Sequence, residues 1–211
     1  MRMRKKPNLG ARLEAAGSVF AATPEEQRGR WRAAFGDYAE AHIEIGCGKG
    51  KFTAETAAAN PDALLVAIER VPEAAVVAAE RVIAAGIPNV RFIRGDANRL
   101  REYFAEAEIP RIYINFPDPW HKARHEKRRL TSPGYLAMYR DILAPGGEIR
   151  FRTDNVPLFG YSLETFPACG FALSGVTRDL HADGAATAAT DYETKFIASG
   201  VKICSLTAVK E

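Results

Sequence analysis

The chain has 211 residues, 47% of them hydrophobic and 26% charged. That balance excludes a disordered polymer and is enough to bury one sizeable core. The longest aliphatic run, residues 63–68, is far short of the roughly 18 to 20 apolar residues that span a bilayer. Cys47, Cys169 and Cys204 are odd in number, far apart and without a CxxC pair, which argues against a disulfide framework or a zinc site.

The formal net charge of +3 is unevenly placed: residues 1–10 and 122–129 together hold nine of the 29 basic residues and one of the 26 acids. The rest of the chain is therefore net acidic. Concentrated cations suggest a footprint for a polyanion, with nucleic acid the first choice; the plainer reading is a solvated charged face. Residues 1–6 are basic but lead into no apolar core, so no secretory signal is read and a cytoplasmic protein with reduced thiols is expected. One domain over residues 1–211 is expected, with a basic extension over about residues 1–40 that becomes helical around Trp31 and Phe35. Its basic start is expected to be an arm that orders on nucleic acid.

From residue 42 onward, strand-like runs alternate with helical patterns, the signature of a parallel sheet covered by helices. Strands are predicted over 42–45, 63–68, 90–94, 111–115, 147–153, 171–177 and 202–209. A helix over 51–59 stops at Asn60-Pro61, and one over 72–85 has Pro72 in its first turn and Gly86 past its end. Thr131 or Ser132 can cap a third helix, which Pro145-Gly146-Gly147 ends. A fourth over 155–168 is interrupted by Pro157, Gly160 and Pro167. Residues 179–195 show no clear period and read as a long loop, a feature that is commonly functional in a compact domain.

Ile43-Glu44-Ile45-Gly46-Cys47-Gly48-Lys49-Gly50 is a strand entering a tight glycine turn before a helix. A dinucleotide fingerprint needs GxGxxG, yet Gly50 comes one position early and Lys51 stands where the third glycine belongs. Glu44 just before the turn suits an ammonium better than a pyrophosphate. Cys47, inside the turn, reads as a small tolerated residue. The second strand ends at Glu69, where a carboxylate can accept both ribose hydroxyls, and the third at Asp96-Ala97, where the acid can reach an adenine amino group. Acids at successive strand ends form a joint pattern far more specific than any one of them.

The fourth strand runs into Asn115-Phe116-Pro117-Asp118-Pro119-Trp120-His121-Lys122, then Arg124, His125, Lys127, Arg128 and Arg129. Two prolines stiffen the turn and present Asp118. Unlike the NPPY loop of amino-group methylases it lacks the tyrosine, which disfavours exocyclic amines as acceptors. Lys122, Arg124 and Arg128 suit phosphates, and His125 can stack on a base. Trp120 reads as packing or as a stacking platform. His121 and His125 have no third ligand at suitable spacing, so no metal is expected.

IEIGCGKG, IER, GDA, NFPDPWHKARHEKRR, FRTDN and TDYETKF, with MRMRKKP at the start, resemble the bacterial tRNA (guanine-N7-)-methyltransferase family over nearly the whole chain. The resemblance implies a Rossmann-like α/β class I fold with a mostly parallel seven-stranded sheet, and S-adenosylmethionine held by Glu44, Gly46, Gly48, Gly50, Glu69, Asp96 and Asp118. It further implies Asp118 as the catalytic residue, Lys122, Asp154, Thr190, Asp191, Tyr192 and Glu193 as tRNA-binding residues, and 7-methylguanosine in the tRNA variable loop as product. A monomer or homodimer is expected. The alternatives are a methyltransferase for another RNA, a protein or a small molecule, a non-catalytic RNA-binding module, and a nicotinamide dehydrogenase.

Overall fold

The computed structural model describes residues 6–182 and 188–211. Arg2, Arg4 and Lys5 of the basic start lie outside them. All seven predicted runs become strands: β1 Glu40–Ile45, β2 Ala63–Glu69, β3 Val90–Arg94, β4 Ile109–Asn115, β5 Leu143–Thr153, β6 Phe171–Thr177 and β7 Cys204–Lys210. They form one sheet in the order β3-β2-β1-β4-β5-β7-β6. The first five run parallel, and β7 lies antiparallel between β5 and β6. The order reverses beside β1, which makes the carboxyl ends of β1 and β4 a crevice of the kind that binds ligands in open α/β sheets.

Burial on both faces explains the nearly unbroken apolar runs. Along β2, Leu64, Val66 and Ile68 join one core cluster while Leu65 and Ala67 join the other. The second cluster is filled by α3 (Lys51–Ala59) and α4 (Pro72–Ala84), alanine-rich helices that lie close to the sheet. The first is filled by α5 (Leu100–Tyr103), α6 (Pro133–Ile142) and α7 (Val156–Ala168). Helix α7 forms in spite of its two prolines. Asn155 caps it by accepting the Leu158 amide at 2.9 Å, Pro157 sits in the first turn where no amide donor is needed, and Pro167 lies at the far end.

Residues 6–40 lie over this frame and are anchored at Ala16, Val19 and Trp31. Helix α1 (Leu9–Ala15) is tied to α4 by Arg12 and Glu80 at 2.6 Å. The Ala21 amide donates to the Phe92 carbonyl at 2.9 Å, so the chain covers the edge of β3. Trp31 opens α2 (Trp31–Ala34), is fully buried against Phe35 and Phe104, and donates its indole N–H to the Tyr103 carbonyl at 2.8 Å.

One expectation is corrected. Thr190–Glu193 do not lie on a loop: Thr190 caps an eighth helix, α8 (Asp191–Ala198), and the other three form its first turn. Among the described residues no helix is long and apolar enough to cross a membrane.

Replacing Trp31 by Ala removes a fully buried ring and a buried hydrogen bond, so unfolding free energy should fall by about 3–5 kcal/mol. Urea denaturation followed by circular dichroism measures it; an unchanged midpoint would mean that the segment is not part of the cooperative fold.

Candidate active site

A cavity of about 890 Å³ opens at the carboxyl ends of β1 to β5. Its walls are Gly46 of the glycine turn, Glu69 and Asp96 at the ends of β2 and β3, the 115–120 loop after β4, Asp154 after β5, and Tyr192 and Phe196 of α8.

Gly46, Gly48 and Gly50 all have positive φ, at 77°, 57° and 72°. A Cβ at Gly46 or Gly48 would meet nothing within 4 Å, whereas one at Gly50 would lie 2.6 Å from the Cβ of Ala78 on α4. The first two glycines keep backbone open toward the crevice, and the third lets α3 and α4 approach. Glu69 holds this turn: one carboxylate oxygen accepts the Gly48 amide at 2.9 Å and the other the Val71 amide at 2.8 Å. Asp96 accepts the Asn98 amide at 2.9 Å and has Arg70 at 3.5 Å. Each acid has been turned toward the cavity by its own backbone, with lone pairs left for a ligand.

Glu44 sits behind this wall. It points to the α3 side of the sheet, is 1% exposed, and accepts from the Thr53 hydroxyl at 2.5 Å and, weakly, from Asn115 at 3.4 Å. Burial pushes its carboxyl up to about 7, helped by the charge of Glu69. Among the described residues its donors are these two neutral groups, and it lies behind the cavity lining, beside the end of β4. Cys47 is also buried, and its thiol is held well above the ordinary range, which supports its reading as an inert small residue.

The 115–120 loop is a strained bridge. Phe116 and Trp120, neither of them glycine, take positive φ of 51° and 44° at its two ends. Pro117-Asp118-Pro119 between them leaves Asp118 exposed on the cavity wall. Arg129 clamps the loop by donating to the Pro119 and Trp120 carbonyls at 3.2 and 3.3 Å, while its guanidinium lies 4.4 Å from the ring centre of Tyr161. Arg128 covers Trp120 at 4.9 Å and His125 meets its edge. Trp120 is packed between these two side chains and also lines the cavity. Lys127 and Arg128 line the cavity; Lys122 and Arg124 are exposed beyond it.

The remaining predicted residues divide. Asp154 and Tyr192 face the cavity. Asp191 is paired with Arg81 of α4 at 3.1 Å. Thr190 and Glu193 form a capping box, and Glu193 is fully buried against Arg152 and His181. The sequence reading did not single out Tyr135 and Phe196, which line the cavity, or Arg152, which pairs with Glu193, and it counted Arg129 only as one of the loop's cations. A Thr-x-x-Glu capping signal at 190–193 was present and marks a helix start.

The chain matches, over residues 38–206, a protein family described as "Putative methyltransferase". It is 44% identical over 211 residues to the tRNA (guanine-N(7)-)-methyltransferase of Geobacillus kaustophilus (strain HTA426), covering 100% of this chain and 97% of that one. The enzyme of the same description from Listeria welshimeri is 44% identical over 209 residues, covering 99% of this chain and 98% of its own. Among solved structures, the 16S rRNA methyltransferase KamB superposes with a TM-score of 0.63 at 18% identity, covering 100% of this chain and 96% of that one. The aminoglycoside resistance methyltransferase NpmB1 gives 0.60 at 16% identity, covering 89% and 93%. At those identities the two structures speak for the fold.

The buried acid yields a pH test. Glu44 in the folded chain titrates near 7, above its ordinary 4.5, so the stability it contributes is complete below the lower value and lost as pH rises through the upper one. Glu44→Gln should therefore lose less melting temperature than the parent between about pH 5 and 8. Parallel curves from differential scanning calorimetry of the ligand-free proteins would rule out this titration.

Proposed function

Because the chain belongs to the tRNA (guanine-N(7)-)-methyltransferase family, we infer that it methylates N7 of a guanine in tRNA, in the variable loop, to give 7-methylguanosine. The observation that carries the reading is a cavity in which acids at successive strand ends face a rigid acidic loop bordered by cations. S-adenosylmethionine supplies a methyl group made electrophilic by its sulfonium. The residues present fit that cofactor: Glu69 and Asp96 offer carboxylates for the ribose hydroxyls and the adenine amino group, Gly46 and Gly48 leave the backbone open to it, and buried Glu44 provides the charge for its ammonium. A pyrophosphate at that turn would lie beside the buried Glu44 carboxylate, which counts against a dinucleotide.

Guanine N7 has a free lone pair, so the chain need supply no general base. What the reaction requires is alignment, together with negative charge where the purine becomes positive. Asp118 and Asp154 are both exposed on the cavity wall, and a carboxylate there can grip the guanine N1 and N2 hydrogens while it stabilises the developing charge. Asp118 is the orienting group in this reading. The strained loop holds it in place, so little reorganisation accompanies the transfer. Tyr192 offers a π-face for the base, and Lys127 and Arg128 at the rim take the neighbouring phosphates. Lys122 and Arg124, farther out, extend the same cationic track.

Asp118→Ala should lower kcat by about 100-fold or more and leave cofactor affinity within a few-fold by calorimetry. The measurement is transfer of labelled methyl to unmodified tRNA followed by nucleoside analysis. Near-normal turnover by the variant would remove Asp118 from the role, and methyl on N1, N2 or a cytosine would remove guanine N7 as the acceptor.

A further inference from the structure

Glu193 is fully buried in the first turn of α8. His181 lies 2.8 Å from one of its oxygens, Arg152 donates to both at 3.3 and 3.4 Å, and the Thr190 amide is at 3.3 Å. Arg152, near the end of β5, also donates to the Ala188 carbonyl at 2.8 Å, and its guanidinium lies 5.5 Å from the ring centre of Phe52 on α3. Its own carbonyl accepts the Phe116 amide at 2.9 Å, at the start of the strained loop. Two residues farther on, Asp154 enters the cavity. One arginine thus joins the strand that delivers Asp154, the loop that carries Asp118, the helix after the glycine turn, and α8.

Glu193 has no oxygen open to the cavity. Tyr192 and Phe196, four residues apart on one face of α8, are the residues of that helix that face it; their rings stack on one another, and Phe196 meets Phe116 at a tilt. Glu193 is a turn of about 100° away from Tyr192. A buried ion pair gives little net stability against an apolar pair of the same size, but it does fix a direction: with Arg152 held by Phe52 and Ala188, the carboxylate has one place to go, and the helix follows it. The outer ties, Arg81 to Asp191 and Lys51 to Thr194 at 2.6 Å, are partly exposed.

We propose that Arg152 is a positioning residue for methyl transfer, which holds α8 through Glu193 so that Tyr192 and Phe196 face the cavity, and that Glu193 acts through this pair without touching the guanine. The proposal rests on the tRNA reading above. It reassigns Glu193 from substrate contact to support.

The test is a double-variant cycle on the full chain, with kcat and KM for unmodified tRNA, cofactor Kd by calorimetry, and melting temperature. Arg152→Met and Glu193→Gln should each lower kcat/KM for tRNA by about tenfold or more with cofactor Kd changed less than about twofold, and the double variant should be no worse than the worse single. Tyr192→Ala should cost much less in the Glu193→Gln background than in the parent, since its ring has already left its place. Arg152→Lys, which keeps the charge, should restore part of the loss, and it carries the same cycle should Arg152→Met not fold. Losses that multiply in the double variant, a Glu193→Gln defect with Arg152→Met near the parent, or an undiminished Tyr192→Ala cost would each overturn the proposal. Failure of the parent to form 7-methylguanosine while it binds cofactor would overturn the tRNA reading, and the positioning role with it.

Discussion

Where parallel strands stop, their last amides and carbonyls have no ladder partner, and something must satisfy them at the rim where the ligand also has to bind. In this protein the Glu69 carboxylate meets that requirement. Its two oxygens take the amides of Gly48 and Val71, so the end of β2 fixes the turn that follows β1 and the start of α4 together. The Gly46 and Cys47 amides reach the Ile68 carbonyl at 2.8 and 3.2 Å and complete the seam. With the turn fixed, α3 and α4 can close to the distance that Gly50 allows, and the cavity floor follows from that packing.

The opposite wall is built by another means. The loop after β4 has no ladder to lean on, and two of its residues are bent into the left-handed region. Such strain persists only where surrounding contacts over-determine it. Arg129 supplies two of those contacts to consecutive carbonyls, and the Arg152 carbonyl supplies a third at the Phe116 amide. Two of the basic residues that a charge count assigns to nucleic acid thus have one foot in the protein's own architecture: Arg129 holds the loop, and Arg128 covers Trp120. The cationic patch and the rigid loop are one construction, and the outward cations are presented by the inward ones.

How far this was legible in the sequence varies with the range of the interaction. β3 and β6 match their predicted spans at both ends because apolar runs bounded by turn residues are local signals. β5 begins at Leu143, four residues before its predicted start, because Leu143 pairs with Ile109, a long-range contact that no local pattern shows. Helix α8 escaped because its eight residues make little more than two turns, too few for a period to show, and the Thr190–Glu193 capping signal was its one local mark. Glu44 and Glu193 were recognised as special residues, but both are buried: their partners stand up to 41 positions away for Glu193 and 71 for Glu44, and burial by such partners leaves no trace in composition or spacing. Glu69, Asp96 and Asp118 needed only the rule that strand ends point into a crevice.

The insertion of β7 between β5 and β6 has a consequence for how the molecule is made. Among the described residues β6 pairs with no strand other than β7, and residues 204–210 leave the ribosome after the other strands of the sheet. Until they arrive, β5 has an open edge and β6 cannot join it. Helix α8 connects these two strands in the chain, so the wall bearing Tyr192 is hung on a joint that closes last. The glycine turn lies in the parallel part of the sheet and forms without β7, whereas the wall that bears Tyr192 depends on it.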